Sequence, residues 1–352
     1  MKKAEVKIQF VTPCIMGGAD RQSAEFRAAS VRGALRWWMR ALGYGCEQVN
    51  ALFGVAAGDK GIRSNVVVRD TTVAMPPTAV QGAQQLTGSN RTTDYFLWPL
   101  MKNTRGVILA NATVSFSVHL RSGSSPEVER ALKAFLLLGS LGMRSRRCYG
   151  SIWPTEVLLD GVKRPIPSTS ADFKSAIREL QLPKDLISTF VVTQPNEGPR
   201  GRRYKYPDYK RALRECREFL ADYRRGKYDK DTDRNPSSYG KNDHDAPWPQ
   251  NNCRYVYRAA LGLPLVQNYH SSGAKVTSTI DDYRRLASPL HFKVIRLDGG
   301  FVPLAIFFNK MFPKEGTIVH LRGGRLRQRP LSLDLVEAMR EDQRLLSIEK
   351  LP

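Results

Sequence analysis

The chain has 352 residues, with 55 Lys+Arg against 33 Asp+Glu and a formal net charge of +22. That length suits two domains of ordinary size, and 41% hydrophobic residues supply a core for each. Bases so far in excess of acids are unlike the balanced charge of a thermophile surface, and they imply a polyanionic partner, either nucleic acid or an anionic membrane surface.

Met1-Lys2-Lys3 runs directly into an alternating segment, Ala4 to Val11, which lacks the apolar run of a secretory signal. No stretch approaches the ~20 apolar residues of a membrane span. Cys14, Cys46, Cys148, Cys216 and Cys253 are scattered and without C-x-x-C spacing. They read as reduced thiols of a cytosolic protein, with neither a disulfide frame nor a metal site.

Ala4 to Val11 is expected as a strand. Ser30 caps a helix from Val31 to about Leu42, stopped by Gly43. Arg63 to Asp70 is the next strand. Thr72 to Arg105 is rich in Pro, Gly, Gln, Asn and Thr and reads as an exposed insertion. Leu109 to Leu120 alternates, with Val114, Phe116 and Val118 on one face. Pro126 opens a helix through Leu138, and Tyr149 to Leu159 is a strand. This β-α-β-β-α-β order is the ferredoxin-like pattern. After Pro165 to Ser168 a second unit begins. Leu186 to Thr193 reads as a strand and Tyr209 to Tyr223 as a helix. Lys227 to Gln250 is another polar insertion, and Arg254 to Leu261 a short helix. Leu290 to Arg296 and Phe301 to Phe308 form a hairpin around Asp298-Gly299-Gly300, and a helix spans about Leu333 to Leu345. The expected fold class is α+β: tandem ferredoxin-like, RRM-like domains at 1–164 and 165–352, with long insertions.

Three basic segments carry the chemistry. On the first helix, Val31, Leu35, Trp38 and Leu42 follow the spacing of a buried stripe. Arg32, Arg36 and Arg40 recur every four residues on another side, bordered by Trp37. Such a line is either a solvated face or a site for phosphates and a stacked base. The segment Gly139 to Ser151 links a helix to a strand. Its glycines let backbone amides approach an anion. Arg144, Arg146 and Arg147 add bidentate donors beside Gly142 and Ser145, and Tyr149 offers a ring. Three arginines so close repel one another without an anion, and the order is not that of a nucleotide P-loop. The third tract runs from Arg200 through Arg202, Arg203, Lys205, Lys210, Arg211 and Arg214 to Arg217. It is interleaved with Tyr204, Tyr206 and Tyr209, a mix that fits either single-stranded RNA or an exposed helix with a basic lead-in. His119, His244, His270, His291 and His320 are dispersed. No triad, metal cluster or carboxylate pair stands out, so no cofactor is expected.

The stretch Thr12-Pro13, Gly17-Gly18-Ala19-Asp20, Arg27 and Ser30-Val31-Arg32-Gly33-Ala34-Leu35-Arg36-Trp37-Trp38-Met39-Arg40-Ala41-Leu42 resembles the RAMP subunit that stands first in type III-B CRISPR Cmr complexes. Gly142 to Ser151 is similar to that family's Gly-rich loop, with Cys148 where the family usually has glycine. Ala260-Leu261-Gly262-Leu263-Pro264 and Arg284-Arg285-Leu286-Ala287-Ser288-Pro289-Leu290 also look like family blocks. No family motif matches Arg200 to Arg217. The resemblance implies tandem RAMP domains and a place where the 3′ region of guide RNA meets target RNA, among other Cmr subunits and away from membranes. It implies that target cleavage belongs to another subunit. Two alternatives stay open: a metal-dependent or acid–base ribonuclease using Asp20, and a protein-bridging subunit that docks acidic partners.

Overall fold

The computed structural model describes residues 1–18, 20, 22–56, 61–74, 76–82, 85–86, 96–97, 104–194, 203–225, 239–240, 242–243, 246–247, 253–263, 265–268, 275–280, 286–323 and 325–352. They divide into two compact units. The first comprises Met1–Cys216, Phe292–Ile306 and Leu346–Pro352, and the second Arg217–His291 and Phe307–Leu345.

The first sheet is built from β1 (Lys3–Phe10), β3 (Val66–Asp70), β6 (Thr113–Leu120), β7 (Ile152–Leu159) and β8 (Val162–Lys163), in the order β3-β6-β1-β7-β8. β1 lies between β6 and β7, antiparallel to both. Its even positions, Ala4, Val6, Ile8 and Phe10, are buried, while Lys3, Glu5 and Lys7 face outward. This is the period-two alternation of a half-buried strand. Two helices complete the layer, α1 (Ala28–Ala41) and α3 (Pro126–Leu138), and they pack on each other. Val31, Leu35, Trp38 and Leu42 are all buried, as the spacing requires. Phe116 of β6 lies 6.5 Å from Phe135 of α3 and 6.4 Å from Phe26, ring centroid to centroid. Pro126 fits the first turn of α3 because its missing N–H would be unpaired there anyway. The Ser125 hydroxyl accepts from Val128 N. α1 begins differently from expectation. Arg27 occupies the cap position without a side-chain hydrogen bond. Ser30 lies inside the first turn, where its N–H donates to Arg27 O.

Part of the stretch expected as insertion is ordered. β4 (Thr78–Gln81) pairs with β5 (Arg105–Ile108), which pairs with β2 (Cys14–Ile15). Four residues after two prolines are too few to display a period. Most of 83–103, like most of 226–252, lies outside the described residues.

The second sheet is β12 (Leu290–Leu297), β13 (Gly300–Phe308), β9 (Ile187–Val192) and β16 (Leu345–Ser347), in that spatial order. In chain order the elements run β9, α5 (Tyr209–Arg225), β12, β13, α6 (Asp334–Arg340), β16. Second, third, first, fourth is also the order of β3-β6-β1-β7. The chain therefore holds the split βαβ arrangement twice, as tandem ferredoxin-like folds of the α+β class. The last helix is shorter than expected. It ends at Arg340, and Asp342 then accepts from Arg344 N at 2.7 Å, turning the chain into β16. Only Arg258–Leu261 of the expected 254–261 helix forms, as a single 3-10 turn. The second unit also carries a four-stranded sheet, β10 (Leu265–Asn268), β11 (Lys275–Thr279), β14 (Ile318–Gly323) and β15 (Arg325–Pro330). A further helix, α4 (Ser170–Leu180), has a capping box from Thr169 and Asp172. α2 (Cys46–Phe53) follows α1.

The close packing of the 139–151 segment is testable. A Cβ at Gly150 would stand 1.9 Å from Leu141 O, so Gly150→Ala is expected to cost well over the ~1–2 kcal/mol of a left-handed alanine. Gly161→Ala has a similar left-handed backbone but nothing within 4 Å, so it loses only the conformational part. Urea unfolding of both variants reads the difference, and equal midpoints would contradict the close approach.

Candidate nucleic-acid interface

The segment between α3 and β7 is held by backbone bonds on both sides. Leu141 N donates to Gly150 O at 2.9 Å, Met143 N to Ile15 O at 2.7 Å and Gly150 N to Pro13 O at 2.8 Å. Arg147 N donates to Arg144 O at 2.8 Å and closes a tight turn. Four residues take positive φ: Gly142 at 79°, Arg144 at 63°, Cys148 at 67° and Gly150 at 64°. Alternation of left-handed and ordinary backbone aims successive amides to one side, as in anion-binding nests. Cys148 makes the left-handed turn that glycine would make without a Cβ penalty.

Buried polar groups lock this turn. Thr12 Oγ1 donates to Cys148 O at 2.5 Å and accepts from Ser151 N at 2.9 Å. Ser151 Oγ donates to the same Cys148 carbonyl at 2.7 Å and accepts from Val294 N at 3.1 Å. Cys148 N donates to Phe292 O, and Phe292 N to Arg146 O, both at 3.1 Å. Lys293 lies in the adjacent strand with 1% of its surface exposed. Its Nζ donates to Leu136 O at 3.1 Å and stands 5.7 Å from the Trp153 ring centroid. Burial pushes its amine well below the ordinary lysine value.

The three loop arginines differ. Arg144 donates through Nε to Phe96 O. Arg146 is half-buried, and burial lowers its pKa. Arg147 is only 6% exposed. Its guanidinium donates to Arg146 O at 2.9 Å and packs 6.0 Å from the Phe292 centroid. Burial, then the charges of Arg144 and Arg146, push it down to about 9, so it is still a cation at neutral pH. Arg147 therefore lies under the loop and not on its outer surface. Gly142 and Ser145 are half-buried. Tyr149 is 0% exposed. Its ring is part of the core, which corrects the expectation of a stacking platform.

On α1 the basic line is partly drawn inward. Arg32 donates to Phe53 O and lies 5.9 Å from that ring centroid, and Arg36 donates to Asn50 Oδ1 at 2.5 Å. Arg40 is exposed, and half-buried Trp37 meets Trp38 edge to face at 5.2 Å. In the third tract, Arg202 lies outside the described residues. Arg203 is exposed and pairs through its backbone with Gln194, and Lys205 is exposed with Nζ donating to Asp298 O at 3.1 Å. Tyr206 is buried in the core, so the expected exposed aromatic interleaving loses one ring. Asp20 is exposed, and its Oδ1 accepts from Gln22 N, Ser23 N and Ser23 Oγ at 3.0, 2.8 and 2.6 Å. The Ser23 hydroxyl bond is the main cause that lowers its pKa. Among the described residues no group of three His, Cys, Asp or Glu is placed to hold a metal, and no helix is long and apolar enough to cross a membrane.

The loop and the α1 line both fall within residues 7–153, which match the family model of the RAMP superfamily. The chain is also similar to the CRISPR system Cmr subunit Cmr1-2 of Pyrococcus furiosus, 29% identical over 178 residues, which is 43% of this chain and 95% of that one. The crystal structure of Cmr1 from Pyrococcus furiosus in its apo form covers 90% of each chain with a TM-score of 0.57 at 18% identity. That likeness is one of fold, and it reaches past residue 153.

Thr12, Ser151 and Phe292 position this loop, and Lys293 beside them is tied to Leu136 O; none of these roles has a local sequence pattern. The one available signal was a lysine amid the apolar run Phe292 to Ile295. Lys293 gives a pH test. Below the unfolded lysine value of ~10.4 the unfolded chain holds a proton that the fold excludes, so stability rises with pH by up to ~1.4 kcal/mol per unit. Lys293→Met is expected to flatten that slope as the pH rises toward ~10.4. Urea midpoints across that range measure it, and an unchanged slope would mean a charged Lys293 in the native state.

Proposed function

We propose that the chain is a non-catalytic RNA-binding subunit of a type III-B CRISPR Cmr effector. In this reading it sits among other Cmr subunits in the cytoplasm and contacts the 3′ region of guide RNA and the target RNA. The observation that carries the reading is the loop from Gly142 to Arg147: three arginines, left-handed backbone at Gly142 and Arg144, and no acidic residue from 139 to 151. The net charge of +22 and the Cmr1-2 relative support it.

Arg144 and Arg146, with the amides near Gly142 and Ser145, would hold phosphates by charge-assisted bonds. Arg147 supports them from below by keeping the local potential positive. Arg40, Arg203 and Lys205 are exposed cations that would track the strand further, and Trp37 is the remaining ring of the α1 line. Such contacts read the backbone and leave sequence to base pairing between guide and target. We read the two RAMP domains as dividing at 164/165. The Asp20 carboxylate is engaged by its own loop and is assigned no role in cleavage.

Arg144→Ala combined with Arg146→Ala is expected to weaken RNA binding and to reduce the salt slope by roughly 0.7 for each phosphate that is no longer neutralised. Filter binding at several salt concentrations measures both, and an unchanged affinity and slope would remove the assignment. Labelled RNA incubated with the protein and a divalent metal is expected to stay intact. Fragments that vanish in Asp20→Asn would replace the binding reading with a nuclease.

A further inference from the structure

We propose that a second basic pocket in the first unit binds a phosphate group carried by a nucleotide or an RNA strand. It lies between α1, the end of α2 and the segment leading into β3, and has a volume of about 520 Å³. That is within the ~300–1,000 Å³ range of small-ligand sites and exceeds a bare phosphate, leaving room for an attached nucleoside. Arg32, Arg36 and Arg63 line it, and none of the described residues that line it is acidic.

The pocket is built before any ligand arrives. The Phe53 carbonyl and the Asn50 side chain fix the guanidiniums of Arg32 and Arg36. Arg36 Nε is buried and has no hydrogen-bond partner among the described residues. A buried donor without an acceptor is a standing cost that an incoming oxyanion removes. Arg63, exposed on the facing wall, is held near by the two backbone bonds between Val55 and Ile62, at 3.0 and 2.8 Å. Gly54 permits this turn with φ 73°, since a Cβ there would stand 2.5 Å from Ile62 O. Three guanidinium forks on one pocket, with no carboxylate among the described lining residues, suit a tetrahedral oxyanion with several acceptor oxygens. The RNA reading above is needed only to name the carrier of that phosphate.

Calorimetric titration of the full chain with inorganic phosphate, adenosine 5′-monophosphate and adenosine tests the pocket. Phosphate and the monophosphate are expected to bind, and adenosine is not. Arg63→Ala and Arg36→Lys are each expected to weaken the monophosphate by about tenfold or more, with thermal melting as in the parent. The lysine keeps the charge and loses the fork. In the Arg144/Arg146 double variant the part of monophosphate binding that Arg63→Ala removes is expected to remain. Adenosine binding as well as its monophosphate, or both pocket variants binding like the parent, would overturn the site. RNA oligomers bearing a 5′-phosphate, a 3′-phosphate or neither then identify the carrier. A pocket-dependent gain from one phosphorylated end assigns that end, and an equal loss in all three assigns an internal diester. Pocket-dependent monophosphate binding together with unchanged RNA affinity of the loop variant would sink the RNA reading alone.

Discussion

Thr12 and Ser151, both fully buried, direct their hydroxyls at one carbonyl, that of Cys148. Everything proposed for the loop depends on this point. A left-handed residue with a Cβ is disfavoured by about 1–2 kcal/mol, and the chain takes that conformation at Arg144 and again at Cys148. Two hydroxyl donors on one acceptor, each worth about 0.5–1.5 kcal/mol net, offset the cost and make the turn the single low-energy path. Gly142 and Gly150 then allow the backbone to pass against Ile15 and Leu141 at distances no side chain would tolerate. The amides around Ser145 are thereby fixed by a buried polar network and do not have to be ordered when a ligand arrives.

The charge on this turn has an opposite energetic sign. Removing a guanidinium from water without an ion partner costs several kcal/mol, and Arg147 is both buried and beside two like charges. The fold tolerates it because the Arg146 carbonyl accepts one N–H and the Phe292 ring covers a face. The segment 139–151 itself contributes three cations and no acid. An anion that settles on Arg144 and Arg146 relieves repulsion already present in the free protein, so part of its binding energy is stored there. Lys293 nearby shows the other solution to the same problem, since burial favours its neutral form. Arginine cannot take that route at neutral pH.

The period-two and helical patterns of the first half were readable because each element exceeds its own period several times and packs on neighbours close in sequence. Pro126 to Leu138 matches to the residue. The second half hid its fourth strand: β16 is three residues long, too short for alternation. The sheet β10-β11-β14-β15 joins two insertions separated by the hairpin of β12 and β13. Its central pairing, Thr277 with Arg322 through Thr279 with His320, has no local signature. α4 had one, the Thr169–Asp172 capping box followed by buried Phe173, Ile177 and Leu180. At the site, residue type revealed where cations cluster. It could not reveal that Tyr149 and Arg147 point inward, since loop side chains carry no period that separates the two faces.

The repeated topology offers an internal control for the role of that cluster. In the first ferredoxin-like arrangement, the connection from second helix to fourth strand is the arginine loop. In the second it is Glu341 to Arg344, between α6 and β16. Arg344 is also largely buried there, and it too packs on an aromatic ring, 4.9 Å from the Phe219 centroid. Its charge is answered within the fold. Asp342 and Asp222 accept from its guanidinium at 2.7 and 2.6 Å, and against the effect of burial those carboxylates raise its pKa. The same topological position therefore holds buried arginine in two ways. One supplies the counter-ions from its own side chains. The other has three guanidiniums and no acid within the connection, and it is the one built on a strained, amide-presenting turn. Three guanidiniums with no acid in their own connection suit a counter-ion from outside, and a ribose-phosphate chain supplies one at each nucleotide.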